Sequence, residues 1–144
     1  MAEPVQKILL VDDDPEDRAI MKEVIEYCPG KEMYSFANNG EEALSSLEGS
    51  YQSGDLPCLI VLDLNMPRMN GTEVLSVLKS DQRFRDIPVI IYSTSINLLE
   101  KEKCMNLGAH SYIAKPVSLS ESIETATLFS QYCREGKSKV KSKN

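Results

Sequence analysis

The sequence lacks the features that mark several classes of protein. It has no apolar run long enough to span a membrane, and residues 1–4 lack the charged start and apolar stretch of a secretory signal peptide. Its formal charge is −6, and we interpret the carboxyl-terminal end with its four lysines as solvated and disordered rather than as a nucleic-acid arm. We therefore expect neither a membrane nor a nucleic-acid partner, and we expect the protein to work in the cytoplasm.

Cysteine and histidine are few and widely spaced. The four cysteines form no Cys-x-x-Cys pair, and His110 is the single histidine. This pattern favours neither a zinc site nor a disulfide framework, as expected in a reducing compartment. We interpret Cys58 as a small core residue and His110 as a surface turn residue.

The chain does have a regular alternation of short apolar runs and helix-length segments. Its 144 residues, 42% hydrophobic and 26% charged, fit one globular domain. The pattern predicts strands at 6–11, 33–36, 59–62, 88–92 and 111–114, with helices starting near 15, 40, 71, 98 and 118. This order predicts an α/β fold with a parallel sheet and helices on both faces. We assign residues 5–134 to the domain and 135–144 to a disordered Lys-rich tail.

Acidic residues follow two of the apolar runs. Asp12 and Asp13 come directly after the first run, and Asp63 ends the third. In an open α/β sheet, ligands bind outside the carboxyl ends of the strands, so these carboxylates should share one pocket. Like charges at that distance repel unless a proton or cation lies between them, and Mg²⁺ prefers oxygen ligands. The pattern predicts a Mg²⁺-assisted phosphoryl-transfer site, with the Asn65 carbonyl as a further ligand.

Polar residues also follow the last two predicted strands. Ser93 and Thr94 end the fourth, and Lys115 follows the fifth. Each has an ordinary interpretation alone, as a turn residue, a helix cap or a surface lysine. Together with the acids, however, hydroxyls can donate to an anionic oxygen and a lysine can bind a phosphoryl group. We expect a cis bond before Pro116, since Lys115 must turn back over the site directly after a strand.

These motifs carry a resemblance to a known family. Over about residues 7–129 the chain resembles the receiver domain of two-component response regulators, on the motifs at 11–13, 62–67 with Gly71, 92–94 and 112–116. Within that family it is most similar to stand-alone receivers paired with bacterial phytochrome-type histidine kinases, on residues 14–17, 63–71 and 93–97. The resemblance implies a flavodoxin-like, doubly wound five-stranded sheet of order 2-1-3-4-5.

The resemblance also implies roles for the site residues. It makes Asp63 the phosphoacceptor, Ser93 the phosphoryl-sensing hydroxyl and Lys115 the phosphate-binding lysine. The implied Mg²⁺ ligands are Asp12, Asp13, Asp63 and the Asn65 carbonyl. The implied switch residues are Ser93, Thr94 and Tyr112. Thr94 is larger than the alanine or glycine common at that position, and Tyr112 stands where the family has a residue that swings inward. An aromatic in the fifth strand is equally well explained by core packing.

The implied function is a signalling module rather than an enzyme. It would take a phosphoryl group from a sensor histidine kinase or a phosphotransfer protein, with Mg²⁺-dependent self-phosphorylation and autodephosphorylation. Its output would be a changed binding face, with a second copy docking through helix 4, strand 5 and helix 5 as one outcome.

The main alternative is a small Mg²⁺-dependent phosphohydrolase with Asp12 as nucleophile. Such enzymes usually need a cap domain, for which this chain has no residues to spare. A flavin or nucleotide binder is disfavoured because the first strand–helix turn is Asp-rich rather than Gly-rich. A phosphorylation-independent scaffold would leave the acid, hydroxyl and lysine set unexplained.

Overall fold

The fold is described from a computed structural model of the chain, which describes residues 6–94 and 96–135. Five strands alternate with five helices. The strands are β1 (Ile8–Val11), β2 (Tyr34–Ala37), β3 (Leu59–Leu62), β4 (Val89–Ser93) and β5 (Ser111–Ala114). The helices are α1 (Pro15–Ile25), α2 (Gly40–Ser53), α3 (Gly71–Ser80), α4 (Leu98–Leu107) and α5 (Leu119–Glu135), and a single 3-10 turn covers Lys31–Met33.

Local sequence signals start the helices that face the site. The side chain of Asp14 accepts a hydrogen bond from the Glu16 backbone N–H, and Pro15 occupies the first helical position of α1. Asn70 and Glu73 form a reciprocal capping box at the start of α3. These caps place the first turns of α1 and α3 at the ends of β1 and β3.

The strands form one parallel sheet in the order β2-β1-β3-β4-β5, which confirms the predicted topology. Alternate side chains of each strand enter two separate apolar cores. One core packs against α2, α3 and α4, and the other against α1 and α5. The sheet is therefore covered on both faces, as buried parallel sheets are.

The structure adjusts several predicted boundaries. β3 and β5 have their predicted limits, and α4 starts at its predicted residue. β1 starts two residues late, and β2 and β4 are each shifted by one residue toward the carboxyl terminus. α2 continues through Gly49 and ends before Gly54, whose φ of 71° is in the left-handed region. Glu135 belongs to α5, and the rest of the predicted tail lies outside the described residues. Within the described ranges, no helix is long and apolar enough to cross a bilayer.

Candidate functional site

The acid cluster is formed by the ends of two neighbouring strands. Val11 of β1 pairs with Leu62 of β3, so the residues that follow them are neighbours across the sheet. Carboxylate oxygens of Asp12, Asp13 and Asp63 all lie within 4.8 Å of one another. The structure thus brings together the three acids that the sequence predicted at the carboxyl edge, by which we mean the edge where the parallel strands end.

Asp12 is fixed by its surroundings. It is 3% exposed, and its carboxylate accepts a hydrogen bond from the backbone N–H of Asp14 at 3.0 Å. The Arg18 guanidinium donates to the Asp12 carbonyl oxygen at 2.8 Å, which ties α1 to the end of β1. Buried carboxylates need such partners because water does not solvate them there. Asp13, by contrast, is half-buried.

Asp63 has a pKa above its ordinary value. Burial raises its pKa from 3.8 to about 6, and the charges of Asp12 and Asp13 also raise it. The Lys115 ammonium and the backbone N–H of Asn65 oppose that rise. Since buried, repelling carboxylates hold protons or cations more readily than solvated ones, Asp63 is poised for a cationic or electrophilic ligand.

Lys115 reaches the cluster from the end of β5. Its ammonium lies 2.7 Å from Asp12 Oδ2, 3.0 Å from Asp17 Oδ2 and 4.0 Å from Asp63 Oδ1. Although burial opposes the charge, these carboxylates raise the pKa of Lys115 above its ordinary value. The predicted cis bond before Pro116 is wrong, because every described peptide bond is trans. The long lysine side chain turns into the pocket without a backbone reversal.

The loop between β3 and α3 passes tightly beside Asp63. A Cβ at Gly71 would lie 2.3 Å from the Asp63 carbonyl oxygen and 2.7 Å from the Leu64 Cα. The Gly71 N–H donates to the Leu64 carbonyl at 3.0 Å, which closes the loop. Asn65 and the exposed Thr94 line the same cleft as Asp13, Asp63 and Lys115. Glycine is therefore required for the close approach that frames the cleft.

The donors of this cleft suit a hard divalent cation. Three carboxylates offer oxygens from one side, with Asn65 beside them. Oxygen-only sets of this kind are typical of Mg²⁺ sites, and no histidine or cysteine is part of the cluster. The residues present therefore fit a bound Mg²⁺.

Comparison with known proteins identifies the family. The family model described as "Response regulator receiver domain" matches residues 8–127. The chain belongs to the response regulator receiver family.

Individual relatives align with most of this chain. The chemotaxis protein CheY1 of Helicobacter pylori is 32% identical over 121 residues, which cover 82% of this chain and 94% of CheY1. The response regulator Rcp1 of Synechocystis is 31% identical over 120 residues, 82% of each chain. These relatives do not favour the phosphohydrolase interpretation.

Solved structures of response regulators have the same fold as this chain. The phosphorylated cyanobacterial phytochrome response regulator RcpA superposes with a TM-score of 0.79 at 32% identity, covering 91% of this chain and 95% of RcpA. The bacteriophytochrome response regulator AtBRR gives a TM-score of 0.71 at 30% identity, covering 86% and 91%. A Mn²⁺-bound form of Rcp1 is similar at 27% identity and a TM-score of 0.70, covering 88% and 93%. This chain is thus a receiver similar to phytochrome response regulators.

Two of the three predicted switch residues of this receiver, Ser93 and Tyr112, are buried together, whereas the third, Thr94, is exposed. Ser93 and Tyr112 are each 1% exposed. Burial raises the pKa of Tyr112, and hydrogen bonds with the Ser93 side chain and the Asn97 backbone oppose the rise. The structure therefore describes Tyr112 in its inward position, where it also belongs to the core beside α4. Tyr112 therefore does both things that the sequence suggested: it packs in the core, and it contacts the Ser93 hydroxyl at the end of β4.

Sequence reasoning missed one site residue and one bond elsewhere. Asp17 contacts Lys115, although its place in a helical first turn gave no signal beyond the acidic preference of such turns. At the amino edge, where the strands begin, Cys58 and Cys133 form a disulfide with their Cα atoms 5.6 Å apart. The expectations of no disulfide framework and of an ordinary core cysteine were therefore wrong.

His110 also differs from its interpretation as a surface turn residue. It is half-buried, its Nδ1 lies 2.6 Å from the Ser111 hydroxyl, and its ring meets Tyr132 edge-on at 5.1 Å. It lies before β5, at the amino edge, whereas the acids follow the strand ends. It belongs to the same end of the sheet as the disulfide.

Proposed function

We propose that this receiver accepts a phosphoryl group on Asp63 from a sensor histidine kinase or a phosphotransfer protein. The observation that carries the proposal is the convergence of Asp12, Asp13 and Asp63 beside the ammonium of Lys115. Mg²⁺ would be held by the three carboxylates and the Asn65 carbonyl. When bound, the cation offsets the negative charge of the acids and of the incoming phosphoryl group.

The residues then divide the work of transfer. An Asp63 oxygen attacks phosphorus, a P–O bond forms, and the P–N bond to the donor histidine breaks with its electron pair on nitrogen. Lys115 binds a phosphoryl oxygen and offsets its charge. The same groups would support autodephosphorylation, in which water attacks the phosphorus, the P–O bond to Asp63 breaks, and inorganic phosphate leaves the regenerated carboxylate. Thr94, which lines the same cleft, would narrow the approach to that phosphorus.

The output would be a change of surface rather than a reaction on a separate substrate. Phosphorylation adds about one to two negative charges and strong acceptor oxygens at the strand ends. Ser93 would donate to one of them by moving with its loop toward Asp63, and the buried Tyr112 beside it would repack, which changes the face made by α4, β5 and α5. To convert a 1:99 mixture of arrangements into 99:1, the phosphoryl group must favour one by about 5.5 kcal/mol.

The face made by α4, β5 and α5 has apolar residues available for docking. Leu98 and Leu99 at the start of α4 are 75% and 79% exposed, and Leu119 at the start of α5 is 55% exposed. Exposed apolar patches mark interaction sites. We propose that a second copy of this chain docks here, and that the kinase is of the phytochrome type, as the names of the relatives suggest.

Phosphorylation with a small phosphodonor, followed by peptide mass mapping, tests the acceptor. Modification of Asp63 supports the proposal, whereas modification of Asp12 would support the phosphohydrolase. Asp63→Asn should abolish the modification.

The output is tested by self-association. Light scattering with and without beryllofluoride should show a phosphorylation-dependent dimer in the wild type. Ser93→Ala should still accept phosphate at Asp63 but lose that change. If Ser93→Ala keeps the full response, the signal leaves by another route.

A further inference from the structure

Asp17 stands outside the acid cluster yet binds its lysine. It lies in the first turn of α1, and its side chain is 31% exposed to solvent. Its Oδ2 accepts a hydrogen bond from the Lys115 ammonium at 3.0 Å. It is not one of the three acids whose oxygens converge for a cation.

Three carboxylates, those of Asp12, Asp17 and Asp63, compete for the Lys115 ammonium. Lys115 donates to Asp12 at 2.7 Å and to Asp17, whereas Asp63 Oδ1 is 4.0 Å away, beyond hydrogen-bond reach. Asp12 directly follows β1 and Asp17 lies on α1, so the ammonium is drawn toward that side of the cleft. A phosphoryl group on Asp63 must draw it back.

The two close partners differ in what happens when a ligand binds. Asp12 belongs to the cluster, so a cation there offsets its charge and weakens its hold on the lysine. Asp17 lies outside the cluster and keeps its full charge. It is therefore the partner that Lys115 must give up, wholly or in part, to bind a phosphoryl oxygen.

We propose that Asp17 is a positioning residue that holds Lys115 toward α1 and thereby weakens its bond to the phosphoryl group on Asp63. This inference rests on the proposed function and adds a residue that sets how tightly the phosphorylated form is held. Asp17 itself touches no reacting atom and acts through the lysine.

Beryllofluoride binding at saturating Mg²⁺, followed by NMR titration, tests the inference. Asp17→Asn removes the charge that competes for Lys115, so it should tighten binding by about two- to fivefold, the range expected for a partly exposed ion pair. Asp17→Glu keeps the charge and should bind as the wild type does. A merely structural role predicts the opposite sign, since loss of a contact that orders the site would weaken binding.

Glu16 supplies the matched control. It lies in the same helical turn, is exposed, and forms no ion pair within the described part of the chain. Glu16→Gln removes the same charge from α1 and should change binding by much less than Asp17→Asn. If Asp17→Asn does not fold, Asp17→Ser, which is too short to reach the ammonium, takes its place.

The outcomes are distinct. Unchanged or weaker beryllofluoride binding in the Asp17 variant, or equal tightening in Glu16→Gln, would overturn the inference and leave the proposed function standing. Failure of the wild type to bind beryllofluoride would overturn the proposed function, and this inference with it.

Discussion

At the carboxyl edge of the sheet three carboxylates converge around one lysine, whereas at the amino edge a disulfide and an aromatic pair join the strands to α5. The carboxyl edge holds charges that repel, with Asp63 and Asp12 both buried. The amino edge holds the Cys58–Cys133 bond and the ring contact of His110 with Tyr132. Binding sites tolerate unfavourable local interactions that the rest of a fold must offset. The comparison predicts that removing the Asp63 charge at the carboxyl edge stabilises the fold, whereas removing the disulfide at the amino edge destabilises it.

The largest expected effect is at the amino edge. The disulfide joins residues 75 positions apart, and in the chain-entropy account a loop of that size stabilises the fold by about 4 kcal/mol. Reduction should therefore lower the free energy of unfolding by about that amount, measured by urea unfolding with and without a thiol reductant. The Cys58→Ser/Cys133→Ser variant should have the same free energy of unfolding as the reduced wild type, and the reductant should not change it. Equal urea midpoints for the oxidised and reduced wild type would contradict this account.

The next effect has the opposite sign and lies at the carboxyl edge. The native pKa of Asp63, about 6, is above its ordinary value of 3.8, so the native state binds a proton more tightly than the unfolded chain does. An ionised Asp63 therefore destabilises the fold by up to about 3 kcal/mol at neutral pH without Mg²⁺. Asp63→Asn should raise the free energy of unfolding at pH 7 by about 1–3 kcal/mol, in urea unfolding without metal.

The pH dependence gives this prediction its control. The stabilisation from a raised carboxyl pKa is present below the unfolded value and is lost as pH rises through the native one. Metal-free wild-type protein should therefore lose stability from this group between about pH 4 and pH 6. Asp63→Asn should lack that component of the profile. The interpretation fails if the two proteins have parallel profiles across this window.

How much of this comparison the sequence predicted differs between the edges. The site at the carboxyl edge could be predicted from the sequence because its polar residues directly follow apolar runs, and a parallel topology brings the ends of those strands together. Asp12, Asp63 and Lys115 could thus be grouped without coordinates. The predicted strand limits were right or wrong by one or two residues, since apolar runs and strand ends differ slightly.

The disulfide at the amino edge could not be predicted in the same way. The pairing of Cys58 with Cys133 depends on where the last turn of α5 packs, and no local spacing encodes that. The contact of Asp17 with Lys115 depends on the direction of α1 and on the path of the lysine side chain. Side-chain reach also explains the trans bond after Lys115, since the expected backbone reversal is not needed.

An effect of similar size tests the tight loop of the carboxyl edge. The added Cβ of Gly71→Ala would meet the backbone of Asp63 and Leu64, which cannot move as a side chain end can. We expect a loss of about 1–3 kcal/mol from this overpacking, together with weaker Mg²⁺ binding as Asp63 is displaced. Thermal unfolding and Mg²⁺ titration by calorimetry measure the two effects.

Gly49 is the matched control for that substitution. It lies inside α2, and a Cβ there meets nothing within 4 Å. Gly49→Ala should stabilise the fold by about 0.5–1 kcal/mol, because glycine is a poor helix former. A destabilising Gly49→Ala, or a neutral Gly71→Ala, would show that backbone approach at the site does not govern the result.

The smallest expected effect returns to the amino edge, where one interaction is unfavourable. Tyr132 is 2% exposed, and its hydroxyl has no hydrogen-bond partner among the described residues. Burial without a partner also raises the pKa of this tyrosine. Tyr132→Phe keeps the ring against His110 and removes the buried hydroxyl, so it should stabilise the fold by about 0.5–1 kcal/mol.

Tyr34→Phe is the matched control, since the Tyr34 hydroxyl donates to the Ala126 carbonyl at 3.0 Å, and it should destabilise by about 1 kcal/mol. Urea unfolding of the two variants decides the matter, and a loss of stability in Tyr132→Phe would mean that its hydroxyl is satisfied in solution.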